Sequence, residues 1–383
     1  MSVTTPKGFR AAAVSAGLKS SGGPDIAVIV NDGPSDAAAA VFTSNRCKAN
    51  PVLWSEQAIR TGAAKAVVVN SGGANCYTGP DGFAVTHATA EAVAERLGIG
   101  AIDVQVCSTG LIGLLNDRDR VVNGAVAAAG AAAADGGVAA AEAIMTTDSH
   151  SKTATATGSG YTVGGIAKGA GMLAPALATM LVFVTTDAEL SSSELDEALR
   201  AATRATFDRL DSDGCQSTND TVLLMASGAS GVRPELAEFA ETVRQVCHDL
   251  TMQLLADAEG ADHEITIEVV GAATEDDALE VGRSVARSNL FKCAVFGRDP
   301  NWGRILASVG TTGAAFDPAG LDVALNGVWV CKSSGPGESP DAVDMEAREV
   351  RVEIDLKSGV AGAAVWTNDL THAYVHENSA YSS

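Results

Sequence analysis

Short runs of consecutive apolar residues alternate along this chain with longer segments in which apolar positions recur every three or four residues. The runs are rich in β-branched side chains and end in polar or glycine-containing turns, which is typical of strands buried on both faces. The clearest of them is MLVFVTTDA at 180–188. We predict strands over 25–30, 65–71, 103–110, 180–188, 221–227 and 264–271, with further alternating strands within 347–367.

The amphipathic and alanine-rich segments predict helices between these strands. Thr86 is a candidate N-cap and Gly98 a stop signal for one of them, while Ser191 and Glu194 have the spacing of a capping box. Helices are predicted over 86–98, 116–144 with a break near 135–137, 191–210, 234–258 and 274–288. The mixture indicates an α/β or α+β fold in which helices flank packed β-sheets, and the order of elements does not decide between the two.

Composition narrows the class of protein. With 383 residues, 46% apolar and 19% charged, the chain can bury a large core as one large or two medium domains. Its formal net charge of −21 disfavours nucleic acid and anionic membranes as partners. We find neither a signal-peptide core nor a run of about 18 apolar residues, so we expect a cytoplasmic protein. The seven scattered cysteines form no C-x-x-C pair, which favours reduced, buried thiols over disulfides or a zinc site.

The sequence lacks the motifs of common catalytic machinery, since it contains no G-x-S-x-G, no H-E-x-x-H and no P-loop. A threonine freed at a new N-terminus needs no histidine, because its own α-amine takes the hydroxyl proton. Thr179 stands where the loop KGAGMLAPALA meets the apolar run that follows it. Attack of its hydroxyl on the preceding carbonyl would cut the Ala178–Thr179 bond and expose this amine. On the residues alone, a buried structural threonine remains the competing interpretation.

Seven blocks of sequence occur in order along nearly the whole chain. They are NSGGAN (70–75), CSTGLIG (107–113), IMTTD (144–148), KGAGMLAP with ATML (168–181), STNDT (217–221), DPNWGR (299–304) and AYVHENSAYSS (373–383). Together they closely resemble the ornithine acetyltransferase family, also called bifunctional glutamate N-acetyltransferase, of arginine biosynthesis. Where that family commonly has PNMATM this chain has PALATM, and Ala176 and Leu177 remove no proposed chemical group.

The resemblance assigns the catalytic residues. It implies that the precursor cleaves itself between Ala178 and Thr179, and that Thr179 is the nucleophile that carries the acetyl group. It also implies that Thr109 and Gly110 of CSTGLIG form the oxyanion hole. A hydroxyl and a backbone N–H at the junction of a strand and a turn suit that role, whereas the residues alone favour a turn-capping hydroxyl for Thr109.

The resemblance also assigns the substrate contacts. An ammonium at Lys168 would pair with an α-carboxylate, although a lone lysine is more often solvated. Glu259 would hold the donor's ammonium, and either Thr147 or its neighbour Thr146 would touch the substrate. The C-terminal residues would fold back into the site. The implied contacts are Thr147, Lys168, Thr179, Glu259, Asn378 and Ser383.

The implied activity is a ping-pong transfer of an acetyl group from N-acetylornithine to glutamate in one shared pocket. Cleavage would give an α-chain of residues 1–178 and a β-chain of residues 179–383, and two copies of each would form a heterotetramer. The implied fold is that of self-processing proteins of the DmpA type. Amide-to-amine transfer calls for no cofactor and no metal, and acetyl-CoA stays open as an alternative acetyl donor.

Two other functions stay open at this point. A self-processed amidase or aminopeptidase would use the same nucleophile with water in place of glutamate. A non-catalytic metabolite-binding protein would keep Thr179 as a structural residue in an uncut chain. Turnover that depends on glutamate would distinguish the first alternative from the transferase, and the mass of the chain would distinguish the second.

Overall fold

A computed structural model describes residues 2–174 and 180–380. The strands in these ranges are β1 Phe9–Val14, β2 Ile26–Asn31, β3 Ala38–Phe42, β4 Ala66–Ser71, β5 Val104–Thr109, β6 Lys152–Thr157, β7 Thr162–Lys168, β8 Leu181–Thr186, β9 Thr221–Ala226, β10 Glu264–Ala272, β11 Asp322–Leu325, β12 Val328–Lys332, β13 Gly335–Pro336, β14 Glu349–Asp355 and β15 Ala361–Asn368. The α-helices are α1 Asn50–Ala58, α2 Gly79–Leu97, α3 Arg118–Ala131, α4 Gly137–Ala143, α5 Ser192–Ala205, α6 Leu236–Ala256, α7 Glu275–Ala286, α8 Asn289–Phe296, α9 Trp302–Val309 and α10 His372–Ala380.

The strands form three sheets. One sheet has the order β1-β2-β4-β5, a second has the order β3-β9-β8-β7-β6, and the C-terminal sheet has the order β13-β12-β11-β14-β10-β15. β4 and β5 are parallel and are connected through α2, while β8 and β9 are parallel and are connected through α5. The sheets are otherwise mostly antiparallel, so the fold combines α/β crossovers with α+β sheets.

The first two sheets pack face to face and carry helices on their outer faces. Between them lies a core that includes Ile29 and Val67 from one sheet and Ile166 and Phe183 from the other. Helices α2 and α3 cover the outer face of the first sheet, and α5 and α6 cover that of the second. The strands in the middle of the sandwich therefore have apolar side chains on both faces, which is why their sequences read as continuous apolar runs.

The C-terminal sheet is covered on one face by α7 and α9. Exposure alternates along β14, so that Val350, Val352 and Ile354 point into the core and the residues between them are less buried. This pattern is typical of a sheet with one solvated face. The prediction of helices flanking packed β-sheets is thereby confirmed.

Two predicted helix starts have different outcomes. The capping box at α5 is confirmed, because Ser191 accepts from the Glu194 N–H and Glu194 accepts from the Ser191 N–H at 2.8 Å. Thr86 as an N-cap is wrong. α2 begins at Gly79, with a proline at a position where the missing N–H costs nothing, and Thr86 lies buried inside the helix.

The cysteines are free thiols, as predicted, but their burial is mixed. Those in the interior are Cys76, Cys107, Cys247 and Cys331, whereas Cys47, Cys215 and Cys293 are exposed. The expectation of a small buried side chain is therefore wrong for the exposed three. Among the described helices, none is both long enough and apolar enough to cross a membrane.

Candidate active site

The sandwich brings the ends of several strands to one edge. β5 ends at Thr109, one strand away from the end of β4 at Ser71. In the second sheet β7 ends at Lys168, which pairs with Leu181 at the start of β8, and Leu181 pairs with Thr221 at the start of β9. The turns that follow or precede these residues therefore share one edge, where Lys168 contacts Thr109 across the two sheets.

A cavity of about 370 Å³ lies at this edge, which suits a small metabolite. Its walls come from both sheets, from the segment after α6 and from the C-terminal helix α10. The lining residues are Ala74, Thr109, Gly110, Leu111, Ile112, Thr146, Thr147, Lys168, Gly171, Met172, Ser217, Thr218, Asn219, Glu259 and Asn378.

The structure brings together residues that the sequence analysis placed in one site from distant parts of the chain. The predicted residues that line the cavity are Thr109, Gly110, Thr147, Lys168, Glu259 and Asn378. Ala178, Thr179 and Ser383 lie outside the described residues. Met180, which follows Thr179 in the chain, donates its N–H to Asp220 Oδ1 at 3.1 Å.

Lys168 is a buried cation, with 2% of its surface exposed, and not the solvated lysine that its residue type alone would favour. Its Nζ donates to Thr146 Oγ1 at 2.8 Å and to Thr109 Oγ1 at 3.2 Å. An ammonium has three N–H groups, so one remains without an acceptor among the residues that the structure describes. Burial lowers the pKa of Lys168, and the negative charge of nearby Asp148 acts against this change.

Gly110 occupies a position that only glycine fits well. Its φ is +124°, and a Cβ there would come within 2.7 Å of the backbone nitrogen of Gly73. The turn after β4 and the turn after β5 are joined by bonds from the Gly72 N–H to the Thr109 carbonyl (2.9 Å) and from the Ala74 N–H to the Leu111 carbonyl (3.1 Å). The Thr109–Gly110 corner is therefore held in place by backbone contacts.

The negative wall of the cavity is Glu259, which follows α6. Asn378 of α10 donates its amide Nδ2 to Glu259 Oε2 at 3.1 Å, and the Glu259 N–H donates to the Ala170 carbonyl at 2.9 Å. A Cβ on Gly171 would come within 2.4 Å of the Glu259 carboxylate, so the glycine leaves room for it. The C-terminal helix thus closes one side of the cavity through a direct contact.

Asn219 is a cavity residue to which the sequence analysis assigned no role. Its Nδ2 donates to the Ala74 carbonyl at 2.7 Å and to the Ser108 carbonyl at 2.8 Å, and its Oδ1 accepts from the Thr218 hydroxyl. One buried amide therefore connects the turn after β4 and the end of β5 to the segment before β9. Its block, STNDT, was part of the family pattern, but the contact itself joins positions far apart in the chain.

Asp220 and Asp148 are buried carboxyl groups that the sequence analysis also did not single out. Burial raises the pKa of Asp220 well above its usual range, against the lowering effect of the Met180 N–H. Asp148 behaves in the opposite way. Its burial is outweighed by the charges of Lys168 and Lys152, which hold its pKa at about 2. The pKa values of two carboxyl groups near one lysine are thus shifted in opposite directions.

The arrangement suits a small zwitterion. A buried ammonium at Lys168 and a carboxylate at Glu259 are close enough for the second to influence the pKa of the first. The hydroxyls of Thr109, Thr146 and Thr147 supply neutral hydrogen bonds along the same cavity. Among residues 2–174 and 180–380 no group of three or more His, Cys, Asp or Glu side chains could hold a metal ion.

Known proteins resemble this chain over its full length. The model of the ArgJ family matches residues 10–383. The arginine biosynthesis bifunctional protein ArgJ of Streptomyces coelicolor is 63% identical over 383 residues, which cover 100% of each chain. The protein of the same name from Mycobacterium tuberculosis is 53% identical over 389 residues, which cover 100% of this chain and 96% of the relative.

One solved structure adds a match at the level of the fold. It is the arginine biosynthesis bifunctional protein ArgJ of Bacillus halodurans, which is 36% identical with a TM-score of 0.50. The match covers 52% of this chain and 98% of that chain, so the solved chain has about half the length of this one. With a family model that spans nearly every residue and relatives of more than half identity, this chain belongs to the ArgJ family.

Proposed function

We propose that this chain transfers the acetyl group of N-acetylornithine to glutamate through an acetyl ester on Thr179, and so produces ornithine and N-acetylglutamate. Membership of the ArgJ family makes it an acyltransferase of arginine biosynthesis. The observation that carries the detailed proposal is the cavity, which is lined by Thr109, Gly110, Lys168 and Glu259 from separate elements. It is also lined by Gly171 and Met172, which precede Thr179 in the chain.

The proposal begins with self-cleavage. The hydroxyl of Thr179 attacks the carbonyl of Ala178, and hydrolysis of the resulting ester leaves residues 1–178 and 179–383 as separate chains. Thr179 then carries a free α-amine, whose ordinary pKa near ~8 suits a general base. The half-length chain of the solved Bacillus halodurans relative supports this division.

In the first half-reaction the α-amine takes the Thr179 hydroxyl proton while the oxygen attacks the acetyl carbonyl of N-acetylornithine. The negative charge that develops on the carbonyl oxygen is stabilised by the Thr109 hydroxyl and the Gly110 N–H. The C–N bond then breaks, and the α-ammonium returns its proton to the leaving amine of ornithine. The acetyl group stays on Thr179 as an ester.

In the second half-reaction the neutral α-amine of glutamate attacks this ester. The same oxyanion donors stabilise the second tetrahedral intermediate, and the Thr179 oxygen leaves with a proton that originates from the glutamate amine. An amide bond is broken and another is formed, so the transfer needs no external energy source. The free Thr179 hydroxyl is regenerated.

Recognition uses the charges of the cavity. Lys168 pairs with the α-carboxylate that ornithine and glutamate share, with a hydroxyl from Thr147 or Thr146. Glu259 binds the ammonium of the donor, and Asn378 with the terminal Ser383 completes the C-terminal side. The bond from Asn378 to Glu259 supports this assignment because it places α10 against the proposed ammonium site.

We further propose that no cofactor or metal takes part, with acetyl-CoA as an alternative acetyl donor. The two chains assemble as a heterotetramer, with two copies of each, in the cytoplasm. The hydrolase alternative, an amidase or aminopeptidase, differs only in using water where glutamate attacks. The metabolite-binding alternative requires an uncut chain.

The test combines intact mass under denaturing conditions with turnover of N-acetylornithine, with and without glutamate. Wild type should give two masses that meet at Ala178–Thr179, and Thr179→Ala should give one full-length mass and no turnover. Thr312→Ala, a matched change outside the cavity, should behave as wild type. One full-length mass in an active wild-type preparation would refute the mechanism. Two masses together with a turnover rate that does not depend on glutamate would identify a hydrolase.

A further inference from the structure

Asp148 is a buried carboxylate close to Lys168, the cation of the cavity. It is 7% exposed, and its Oδ1 accepts from the Gly169 N–H at 2.6 Å while its Oδ2 accepts from the Thr146 N–H at 3.0 Å. Gly169 follows Lys168 in the chain, and Thr146 Oγ1 is an acceptor for Lys168 Nζ. One carboxylate therefore holds the backbone on both sides of the Lys168 ammonium.

A second lysine, Lys152, connects Asp148 to the segment that carries Glu259. Lys152 is fully buried, and its Nζ donates to Asp148 Oδ1 at 2.7 Å and to Asp257 Oδ2 at 2.5 Å. Asp257 caps the end of α6, accepts from the Ser149 N–H at 3.1 Å, and stands two residues before Glu259. The chain of contacts thus connects the Thr146–Thr147 turn, Lys168 and the segment that carries Glu259.

Asp148 also affects the pKa of Lys168. The titratable groups that face Lys168 are Asp148, Lys152, Asp220, Glu259 and Lys19. Burial and the charge of Lys152 lower the pKa of Lys168, while Asp148 raises it. With its own pKa held at about 2, Asp148 is ionised throughout the working range of an enzyme. It therefore favours the protonated form of a lysine whose pKa is lowered by burial.

We infer that Asp148, joined to Lys152, is a positioning residue that holds Lys168 and the Thr146–Thr147 turn ready to bind the α-carboxylate of both substrates. The inference rests on the proposed function, because it takes Lys168 as the carboxylate-binding group. Asp148 itself touches no substrate. Its influence reaches the reaction through the placement and the protonation of Lys168.

The charge argument predicts opposite effects for two nearly isosteric variants. Asp148→Asn removes the charge that favours protonated Lys168, so the basic limb of kcat/KM for N-acetylornithine should move to lower pH by about one unit. KM for both substrates should rise about tenfold, with a smaller change in kcat. Lys152→Met removes a cation that opposes protonation, so the same limb should move to higher pH. General damage to the fold would not give shifts of opposite sign.

The pKa of Lys168 can also be read without activity. Competitive labelling with acetic anhydride across a pH series, followed by mass spectrometry of the peptide that contains Lys168, reports its titration directly. This measurement still applies to a variant that folds but has little turnover, and thermal unfolding of each variant checks that it folds. Asp196→Asn, which alters an exposed ion pair with Arg200, is the matched control and should leave both readouts unchanged.

The outcomes separate this inference from the proposed function. If Lys168→Met leaves KM for both substrates unchanged, then Lys168 does not bind their carboxylate. The substrate contact proposed for Lys168 and the role of Asp148 are then both overturned, whereas acetyl transfer through Thr179 is judged by the mass and turnover test. If Lys168→Met raises KM but the Asp148 and Lys152 variants shift Lys168 in the same direction or not at all, only the role of Asp148 is overturned. Opposite shifts together with the KM effect support it.

Discussion

The ammonium of Lys168 donates a hydrogen bond to the hydroxyl oxygen of Thr109 over 3.2 Å. An ammonium group can only donate hydrogen bonds, so the Thr109 hydroxyl oxygen must be the acceptor of this bond. The hydroxyl hydrogen of Thr109 is then left for another partner. A hydroxyl that accepts from a cation is also a stronger donor, since hydrogen bonds in a chain polarise one another. The lysine that we assign to carboxylate binding therefore also supports the hydroxyl that we assign to the oxyanion.

This relationship predicts that Thr109→Val lowers kcat of acetyl transfer by roughly 10²- to 10³-fold with little change in KM. Valine keeps the shape of threonine but has no hydrogen to donate to the transition state. Steady-state kinetics with N-acetylornithine and glutamate measure the effect, and Thr109→Ser, which keeps the hydroxyl, should retain most activity. A Thr109→Val enzyme with wild-type kcat would remove Thr109 from the oxyanion hole.

A second prediction concerns the two substrates separately. Glu259→Gln should raise KM for N-acetylornithine by roughly 10-fold or more, since a hydrogen bond to a charged group typically contributes ~1.5–3 kcal/mol. KM for glutamate should change much less, because glutamate attacks as a neutral amine and has no second ammonium. Glu241→Gln, on the exposed face of α6, is the control. Equal effects on both substrates would argue against a donor-specific role.

The sequence predicts much of this fold because strands that are buried on both faces appear as continuous apolar runs. The strands in the middle of the sandwich are apolar on both faces. The predicted strand β5 ends at Thr109, whereas β7, which ends at Lys168, was not predicted. The family resemblance then brought Glu259 and Asn378 into the same site. Their common placement in one cavity could not come from periodicity, which contains no information on which strand ends meet.

Other features of the site could be identified only from the three-dimensional structure. Nothing in the local pattern around Asp148 or Asn219 distinguishes them from polar turn residues, and their contacts join segments that are far apart in the chain. Several elements were not predicted, namely strands β1, β3, β6, β7 and β11 to β13 and helices α1, α8, α9 and α10. Thr86 failed as a helix start because a proline in the preceding turn had already begun the helix.

The buried carboxyl of Asp220 predicts a pH dependence of stability. Its pKa is raised in the folded state, so unfolding releases its proton at pH values above the ordinary pKa of an aspartate, about 4. Its contribution to stability is thus fully present below about pH 4 and is lost as the pH rises toward the folded pKa. Asp220→Asn has no proton to release, so its free energy of unfolding should fall less steeply, by up to ~1.4 kcal/mol per pH unit.

Urea unfolding between pH 4 and 8 measures this difference, with both proteins in the Thr179→Ala background so that each is one uncut chain. The exposed Asp262→Asn is the matched control and should follow the wild-type pH dependence. Parallel curves for wild type and Asp220→Asn would mean that Asp220 ionises normally in the folded protein.

We expect α10 to contribute to donor binding as well as to cover the cavity. Gly260 has a φ of +62°, and a Cβ there would come within 2.2 Å of the Tyr374 backbone nitrogen in α10. Gly98 has a similar φ of +70°, but a Cβ there would meet nothing within 4 Å. Both Gly→Ala changes carry the strain of a left-handed backbone, about 1–2 kcal/mol, and only the change at Gly260 also displaces the helix.

Gly260→Ala should therefore increase hydrogen exchange in α10 and raise KM for N-acetylornithine, because Asn378 loses its position against Glu259. Gly98→Ala should lower the unfolding temperature by a similar strain contribution while exchange in α10 and KM stay at wild-type values. Hydrogen exchange followed by mass spectrometry, together with kinetics on both variants, makes the comparison. If Gly260→Ala loosens α10 and leaves KM unchanged, the C-terminal helix covers the site without contributing to donor binding, and the assignment of Asn378 as a substrate contact is wrong.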